Sequence, residues 1–394
     1  MEPGLVAGMR IARVSATPLN IPVRFDLPGF ERDTALSLTL VEVETQNGLK
    51  GHGITAITEE EVVAAAVNEV AAYHIVGEDA LAHERVWDKL YWELAPRGQT
   101  GHGCHAIAAI DIALWDIKGK ALGLPVWRLL GGARPRVPAY VTFGFASMDR
   151  ETLAAAAKVW VKERGAKRLK MVVGHHGLKR RDEPRPLAAL VAEDLQRVMA
   201  VRDAVGPEVP IFLDGNCSLD PYHARWLAER VEDLGIGFFE EPLVENDPRR
   251  LADLRRQVRV PLAGGQNEGL IHRFRDLIMA EALDVMQPNV VIGGGFTQGL
   301  RIAGLAAAFN QPIANGGAWA HHNMHLHAGI ANGGLVEYHH LATLVTERIF
   351  GPLPRPDADG WLHPSDAPGL GFTPDPDAVR ELAKHPTSRG AGKA

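Results

Sequence analysis

Between residues 10 and 58 polar and apolar side chains alternate, and Pro18, Pro22, Pro28, Gly29, Asn47 and Gly48 interrupt the pattern. Alternation with a period of two predicts half-buried strands. Residues 36–44, the Asn47-Gly48 pair and residues 51–57 together predict a β-hairpin closed by an Asn-Gly turn. From Glu59 to about Gly131 the period becomes helical, with alanine-rich runs at 62–72 and 105–122, and Gly123 and Pro125 stop the second run. Strands followed by helices predict an α+β unit.

After Gly131-Gly132 short apolar runs, each ending in a polar or small residue, alternate with amphipathic helical stretches. The expected strand ends are Phe143, Lys170, Asp214, Glu240, Gln266, Asn289, Asn315 and Glu337. Successive gaps of 26 (214 to 240), 26 (240 to 266), 23 (266 to 289) and 26 (289 to 315) match one strand-helix unit each. The reading is an α/β fold, a modified (β/α)8 barrel whose strand ends share one mouth. From about Gly351 the chain is rich in Pro, Gly and Asp, which predicts a loop-rich tail folded back on the first unit. The expected domains are an α+β capping domain at 1–131, a barrel at 132–350 and a C-terminal segment at 351–394 that packs on the capping domain.

The 394 residues accommodate a barrel of roughly 250 residues plus a second unit. Hydrophobic residues at 46% and charged residues at 23% allow a large core without cross-links or structural metal. A formal charge of −6 with scattered Lys and Arg provides no basic stripe, so neither nucleic acid nor a membrane surface is an expected partner. Cys104 and Cys217 lack zinc-type spacing and make no disulfide framework. The N-terminus has no basic segment leading into an apolar run, and a cytoplasmic location is expected.

Asp214 and Glu240 end neighbouring strands, so their carboxylates would meet at the mouth. Unpaired, they repel, and a hard divalent cation removes that cost. Asn216 could add an amide oxygen. The bland alternative is a helix-capping Asp and a Glu paired with an Arg.

The run Ala106-Ile-Ala-Ala-Ile-Asp111-Ile-Ala-Leu-Trp115-Asp116-Ile-Lys-Gly119, continued through Leu124-Pro125 to Gly131-Gly132, resembles the signature that precedes the barrel in the mandelate racemase group of the enolase superfamily. With Asp214-Gly-Asn216, Glu240-Glu241-Pro242, Gly293-Gly294-Gly295 and Glu337, the resemblance covers nearly the whole chain in order. It implies a (β/α)7β-type barrel under a capping domain completed by the C-terminal tail. It also implies Mg²⁺, or Mn²⁺ in its place, at the carboxylate of a small substrate, stabilising the enediolate formed when the neighbouring proton leaves. Homo-oligomers are implied as well.

Residue by residue, the resemblance assigns metal ligation to Asp214, Glu240 and Gln266. Gln266 stands where a glutamate is expected and should weaken the site. Glu268 is a candidate substitute. The second strand usually carries Lys-x-Lys, and here Lys170-Met171-Val172 keeps only the first lysine. On the other face an Asp-His dyad is expected, and Asn289 and Asn315-Gly316 stand in its place. Asp284, five residues before Asn289, is read as structural. Glu337 matches a carboxyl that hydrogen-bonds the enediolate. Its bland reading is an ion pair with Arg348 or Lys170.

With the usual proton carriers gone, histidines are the candidates, since imidazole titrates near neutral pH. His175 and His176 follow the second strand. His321 and His322 open a stretch continued by His325 and His327 and are placed near the mouth, against the plain alternative of a capped helix start. Capping-domain loops around 25–32 and 51–57 should shape specificity, with Phe25 and Phe30 as an apolar lid and Arg24 and Arg32 free to meet a second carboxylate. Gly293-Gly294-Gly295 lacks the context of a dinucleotide fingerprint and implies no nucleotide.

The expected function is dehydration of a small hydroxy carboxylate or sugar acid through an enediolate, because elimination needs one acid-base group where racemisation needs one on each face. An isomerase of the same superfamily, whether racemase, epimerase or cycloisomerase, is the alternative. A non-catalytic or metal-independent relative is the third reading.

Overall fold

The computed structural model describes residues 8–27, 29–174 and 184–384. The expected hairpin is present. Strands β1 (Ile11–Leu27), β2 (Phe30–Thr45) and β3 (Lys50–Ala56) form an antiparallel sheet in that order. Gly48 adopts φ +82° at the turn between β2 and β3, where the Thr45 N–H donates to the Leu49 carbonyl. Pro18 and Pro22 sit in β1, an edge strand, where a missing N–H costs no ladder bond. The carbonyl of Pro18 accepts from the Lys384 N–H and that of Pro22 from the Arg348 guanidinium, so the end of the chain covers this edge.

Helices α1 (His83–Gly98) and α2 (His102–Leu122) complete the cap. Almost every side chain of α2 before its last turn is buried, because the helix lies between the sheet and the barrel. It approaches β3 so closely that a Cβ on Gly53 would fall 1.9 Å from the Ala109 carbonyl oxygen. On its other side Asp111 accepts the backbone N–H and the hydroxyl of Thr297, and the Trp115 indole donates to the same hydroxyl. The Ile-Asp-Ile-Ala-Leu-Trp signature therefore docks cap to barrel. Gly295 is part of that joint, since a Cβ there would meet Asp111 Oδ2 at 2.2 Å.

The barrel strands are β4 (Val137–Gly144), β5 (Leu169–Val172), β6 (Ile211–Asp214), β7 (Ile236–Glu240), β8 (Leu262–Gly264), β9 (Val285–Met286) and β10 (Val336–His339). They pair in parallel in this order, and β10 returns to β4. Residues 312–315 bridge β9 and β10 through Met286 N–H to Pro312, Ala314 N–H to Met286 and Asn315 N–H to Leu335, in place of a seventh full strand. This is the modified barrel of the sequence reading.

Period two along each strand stacks the interior in layers. Tyr140, Phe212, Phe238 and Ala263 form a lower layer, with Phe212 and Phe238 stacked at 4.1 Å. Two residues further along come Thr142, Asp214 and Glu240, which therefore point the same way at the next level up. The connecting helices include α3 (Gly295–Ala308), α4 (Ala320–Gly329) and α5 (His340–Phe350).

The C-terminal segment spans both units. Trp361 and Leu362 pair with Pro138 and Val137 on β4, while Gly369 and Leu370 bond to Val126 and Asp116 beside α2, and Leu19 pairs with Ala383 on β1.

Candidate active site

Four side chains from four strands meet in the upper layer. The Lys170 ammonium lies 2.8 Å from Glu240 Oε2, 3.0 Å from Glu337 Oε1 and 3.1 Å from Asp214 Oδ2. All four groups are buried, and the Lys170 stem rises beside the Tyr140 ring, with Nζ 5.4 Å from its centroid. Burial alone would lower the Lys170 pKa. The three carboxylates outweigh burial and hold it well above its ordinary value, so the amine stays protonated. Its three N–H groups face three carboxylates. Lys170 thus serves in this structure as the internal counter-ion of the three carboxyl groups, the ion pair with Glu337 that the sequence offered as the bland reading.

Three carboxylates against one ammonium leave a formal charge of −2 in a buried layer. Burial, with Asp214 and Glu337 nearby, pushes the Glu240 pKa well above its ordinary value in spite of Lys170. Among the described residues Glu240 Oε1 is buried without a hydrogen-bond partner, although Oε2 also accepts from the Gln287 amide. Glu337 behaves in the opposite way. Burial raises its pKa, but Lys170, the Thr142 hydroxyl and the Ala318 N–H more than offset this and keep it ionised.

Gln266 follows β8 with its amide turned by Glu241. Gln266 Nε2 donates to Glu241 Oε2 at 2.9 Å, and Asn246 and Asn267 donate to the same buried carboxylate. Donation from Nε2 leaves Gln266 Oε1 as an acceptor. Asp214, Glu240 and Gln266 thus offer only hard oxygen donors, one of them an orphan, in a layer where three carboxyl groups share one ammonium. That set suits a divalent cation. Glu268 does not join it, because its carboxylate pairs with Arg273.

A cavity of about 240 Å³ opens above this layer, lined by Asp214, Gln266, Glu337 and His339 from the barrel and by Ile57 and His105 from the cap. Asn216 also lines it, with φ +45° and its N–H donating to Asp214 Oδ1. An adjoining cavity of about 400 Å³ shares Phe145, Val172 and Asn216 and has Arg32 at its edge. Arg24 instead pairs with Glu31, and Phe25 is buried against Phe30, Phe145 and His340, so Phe25 fastens the hairpin to the barrel.

Several expected site residues are elsewhere or otherwise occupied. His321 and His322 lie on α4, fully buried away from the cavity. His321 Nε2 contacts the Pro354 carbonyl at 2.8 Å, and His322 packs edge-on against Phe350 and Phe372 with both ring nitrogens unpartnered among the described residues. The helix starts one turn earlier than a mouth loop would require, and its face is turned to the C-terminal segment. Asn289 donates to the carbonyls of Gly316 and Gly317 and accepts from Val291 and Asn323, while Asn315 donates to Gly316 and accepts the Glu337 N–H. Both amides hold the 315–318 loop in shape. Gly316 leaves no room for a side chain, since its Cβ would lie 3.0 Å from Glu240 Oε1 and 2.9 Å from Gln287 Nε2. Asp284 pairs with Arg255 and the Leu262 N–H, as a structural residue would. His175 and His176 lie outside the described residues.

The histidines that do line the cavity are His339 and His105, which the sequence reading missed. For His339 a signal existed, because period two places residue 339 on the same face of β10 as Glu337. For His105, buried in the first turn of an alanine-rich helix, none existed beyond the oddity of an imidazole there.

Comparison with known proteins follows the same lines. The family description "Mandelate racemase / muconate lactonizing enzyme, N-terminal domain" matches residues 12–131, and "Enolase C-terminal domain-like" matches residues 152–378. An arabinonate dehydratase of Saccharolobus solfataricus is 30% identical over 345 residues, 86% of this chain and 88% of that protein. A 3,6-anhydro-alpha-L-galactonate cycloisomerase of Streptomyces coelicolor is 29% identical over 353 residues, 88% of this chain and 91% of its own length. The crystal structure of a mandelate racemase/muconate lactonizing enzyme from a marine actinobacterium, in complex with magnesium, superposes with a TM-score of 0.82 at 28% identity, covering 96% of this chain and all of that one.

Proposed function

Because this chain belongs to the mandelate racemase and muconate lactonizing enzyme family of the enolase superfamily, we propose that it is a metal-assisted dehydratase of sugar acids. The observation that carries this reading is the buried layer of three carboxyl groups, Asp214, Glu240 and Glu337, around one ammonium and open to a cavity. Asp214, Glu240 and Gln266 are the proposed ligands of Mg²⁺, with Mn²⁺ as a substitute of the same donor preference. Bound there, the ion would supply Lewis-acid stabilisation of the negative charge that develops on a substrate carboxylate, worth several kcal/mol of barrier.

The chain's own residues do the rest. Lys170 holds Asp214, Glu240 and Glu337 together through contacts of 2.8–3.1 Å. Glu337, fixed by Thr142 and the Ala318 N–H, presents a charged carboxylate at the cavity wall where it can accept a hydrogen bond from a substrate hydroxyl. The apolar wall of Phe145, Val172 and Ile57 limits water around the reacting carbons. Arg32, at the edge of the adjoining cavity, can meet the far end of a longer acid.

The family also contains a cycloisomerase with comparable similarity, so isomerisation is the second reading. One assay separates them. Purified protein with 5–10 equivalents of MgCl₂ is incubated with five- and six-carbon sugar acids, arabinonate among them, and products are followed by proton NMR. A 2-keto-3-deoxy acid supports dehydration, an isomer of unchanged composition supports the second reading, and no conversion of any acid would falsify both.

Among the described residues no helix is long and apolar enough to cross a membrane. Cys104 and Cys217 are free thiols, which supports a cytoplasmic setting, and exposed Tyr73 and Trp92 on the cap support self-association. Light scattering of the purified chain tests the latter, and a monomer would remove it.

A further inference from the structure

The dehydration proposed above needs a group that moves a proton, and the two places that supply one in this family hold Val172 and Gly316. Neither can. Among the described residues lining the cavity, the titratable side chains are Asp214, Glu337, His339 and His105. Asp214 and Glu337 are both paired with Lys170, and their oxygens already accept N–H and O–H donors.

His339 is constrained by the helix it starts. Its Nδ1 accepts the Ala342 N–H as the cap of α5. A ring that accepts at Nδ1 carries its proton on Nε2 and has no lone pair there. That contact, 3.5 Å long, favours the tautomer with its proton on Nε2, which makes His339 the less suited of the two rings to take a proton from carbon.

His105 has a different partner. Its Nδ1 lies 2.6 Å from the hydroxyl of Thr55 on β3, and among the described residues Nε2 has no hydrogen-bond partner. A hydroxyl both donates and accepts, so it stays bonded to Nδ1 whether that nitrogen is protonated or not. Nε2 can therefore alternate between lone pair and N–H with the ring held in one orientation. The position is rigid as well. His105 sits in the first turn of α2, and α2 is clamped on β3 at Gly53 and on the barrel at Asp111.

We propose that His105 of the capping domain is the acid-base group of the elimination, taking the α-proton at Nε2 and returning it to the departing hydroxyl. The Cα–H bond breaks with its electron pair passing into the carboxylate to form the enediolate, and the proton resides on Nε2. The electrons then return, the Cβ–O bond breaks with its pair on oxygen, and that oxygen takes the proton from Nε2 and leaves as water. The enol so formed tautomerises to the 2-keto-3-deoxy acid. Nothing beyond substrate is consumed. Burial lowers the His105 pKa to about 4, with His102 adding to the effect, so the resting ring is neutral and has a lone pair with which to take a proton. Thr55 is a positioning residue.

The test compares wild type, His105→Gln, Thr55→Val and, as a control outside the site, His322→Leu, each with MgCl₂. The readouts are turnover of the sugar acid accepted by wild type and exchange, in D₂O, of the α-proton of its 3-deoxy analogue, which can lose a proton but cannot eliminate. His105→Gln is expected to lose at least about 100-fold in both kcat and exchange, with KM within about threefold. Thr55→Val should lose about tenfold in kcat with KM unchanged, and His322→Leu should match wild type. Exchange by a folded His105→Gln protein within about threefold of wild type overturns the assignment and leaves the dehydratase reading standing. Absence of both turnover and exchange in wild type overturns the two together.

Discussion

Helix α4 and the barrel mouth both carry histidines, and they use imidazole in opposite ways. On α4 four histidines in seven residues are buried, His321 and His325 against carbonyls, His322 against aromatic rings and His327 against the Gly334 N–H, and burial lowers His321 and His325 to about 4 and His327 to about 3. His321 and His325 reach the Pro354 and Leu370 carbonyls and tie down the C-terminal segment. At the mouth two histidines, far apart in sequence and brought together by the cap, face a cavity beside a charged layer. Density along the chain marks packing here, and convergence in space marks chemistry.

The contrast can be broken most directly at the charge that organises the mouth. Lys170→Met leaves three buried carboxylates without their counter-ion and should cost about 3–5 kcal/mol of stability, read by urea unfolding at pH 7 without added metal. A loss below about 1 kcal/mol would mean that the layer is not the buried cluster described.

A smaller effect is expected from Gln266→Glu. A third carboxylate should tighten Mg²⁺ binding about tenfold, and metal-free stability should fall because Glu241 loses its amide donor and gains a like charge. Titration calorimetry with MgCl₂ measures the first part. Unchanged affinity would remove Gln266 from the ligand set.

The smallest change sharpens the other side of the comparison. His322 has two unpartnered nitrogens against Phe350 and Phe372, so His322→Leu should stabilise the protein by about 1 kcal/mol at pH 7. Its folded pKa lies well below the unfolded value of 6.5, chiefly through burial. The unfolded chain therefore binds a proton that the folded chain refuses, and wild-type stability is complete above 6.5 and falls as the pH drops below it. The advantage of the variant should grow by about 1.4 kcal/mol per pH unit below 6.5. Thermal melts at pH 7 and 5 with an equal gap between the two proteins would contradict this.

Much of this was legible along the chain and some could not be. The barrel could be read because strand ends repeat at nearly constant spacing, and Asp214, Glu240, Gln266 and Glu337 could be placed because strand geometry alone sends them to one mouth. His339 was legible from period two and was passed over. Asn289 and Asn315 read as damaged catalytic positions, yet their amides each satisfy loop carbonyls, which only coordinates reveal. His105 and its Thr55 partner are 50 residues apart in a different unit from the strand ends. Their meeting depends on the close contact between α2 and β3, a matter of two backbones that no side-chain pattern encodes.

The aromatic layer of Tyr140, Phe212 and Phe238 beneath the charged layer has a kinetic consequence. A stacked hydrocarbon floor is impermeable to ions and hydroxide, so the bottom of the barrel is a dead end and all traffic passes on the cap side. Entry and escape of a cation are then governed by the same opening that admits substrate. Dissociation of metal should be slower with substrate in place than without it, and chelators should act on the idle enzyme far faster than on the working one.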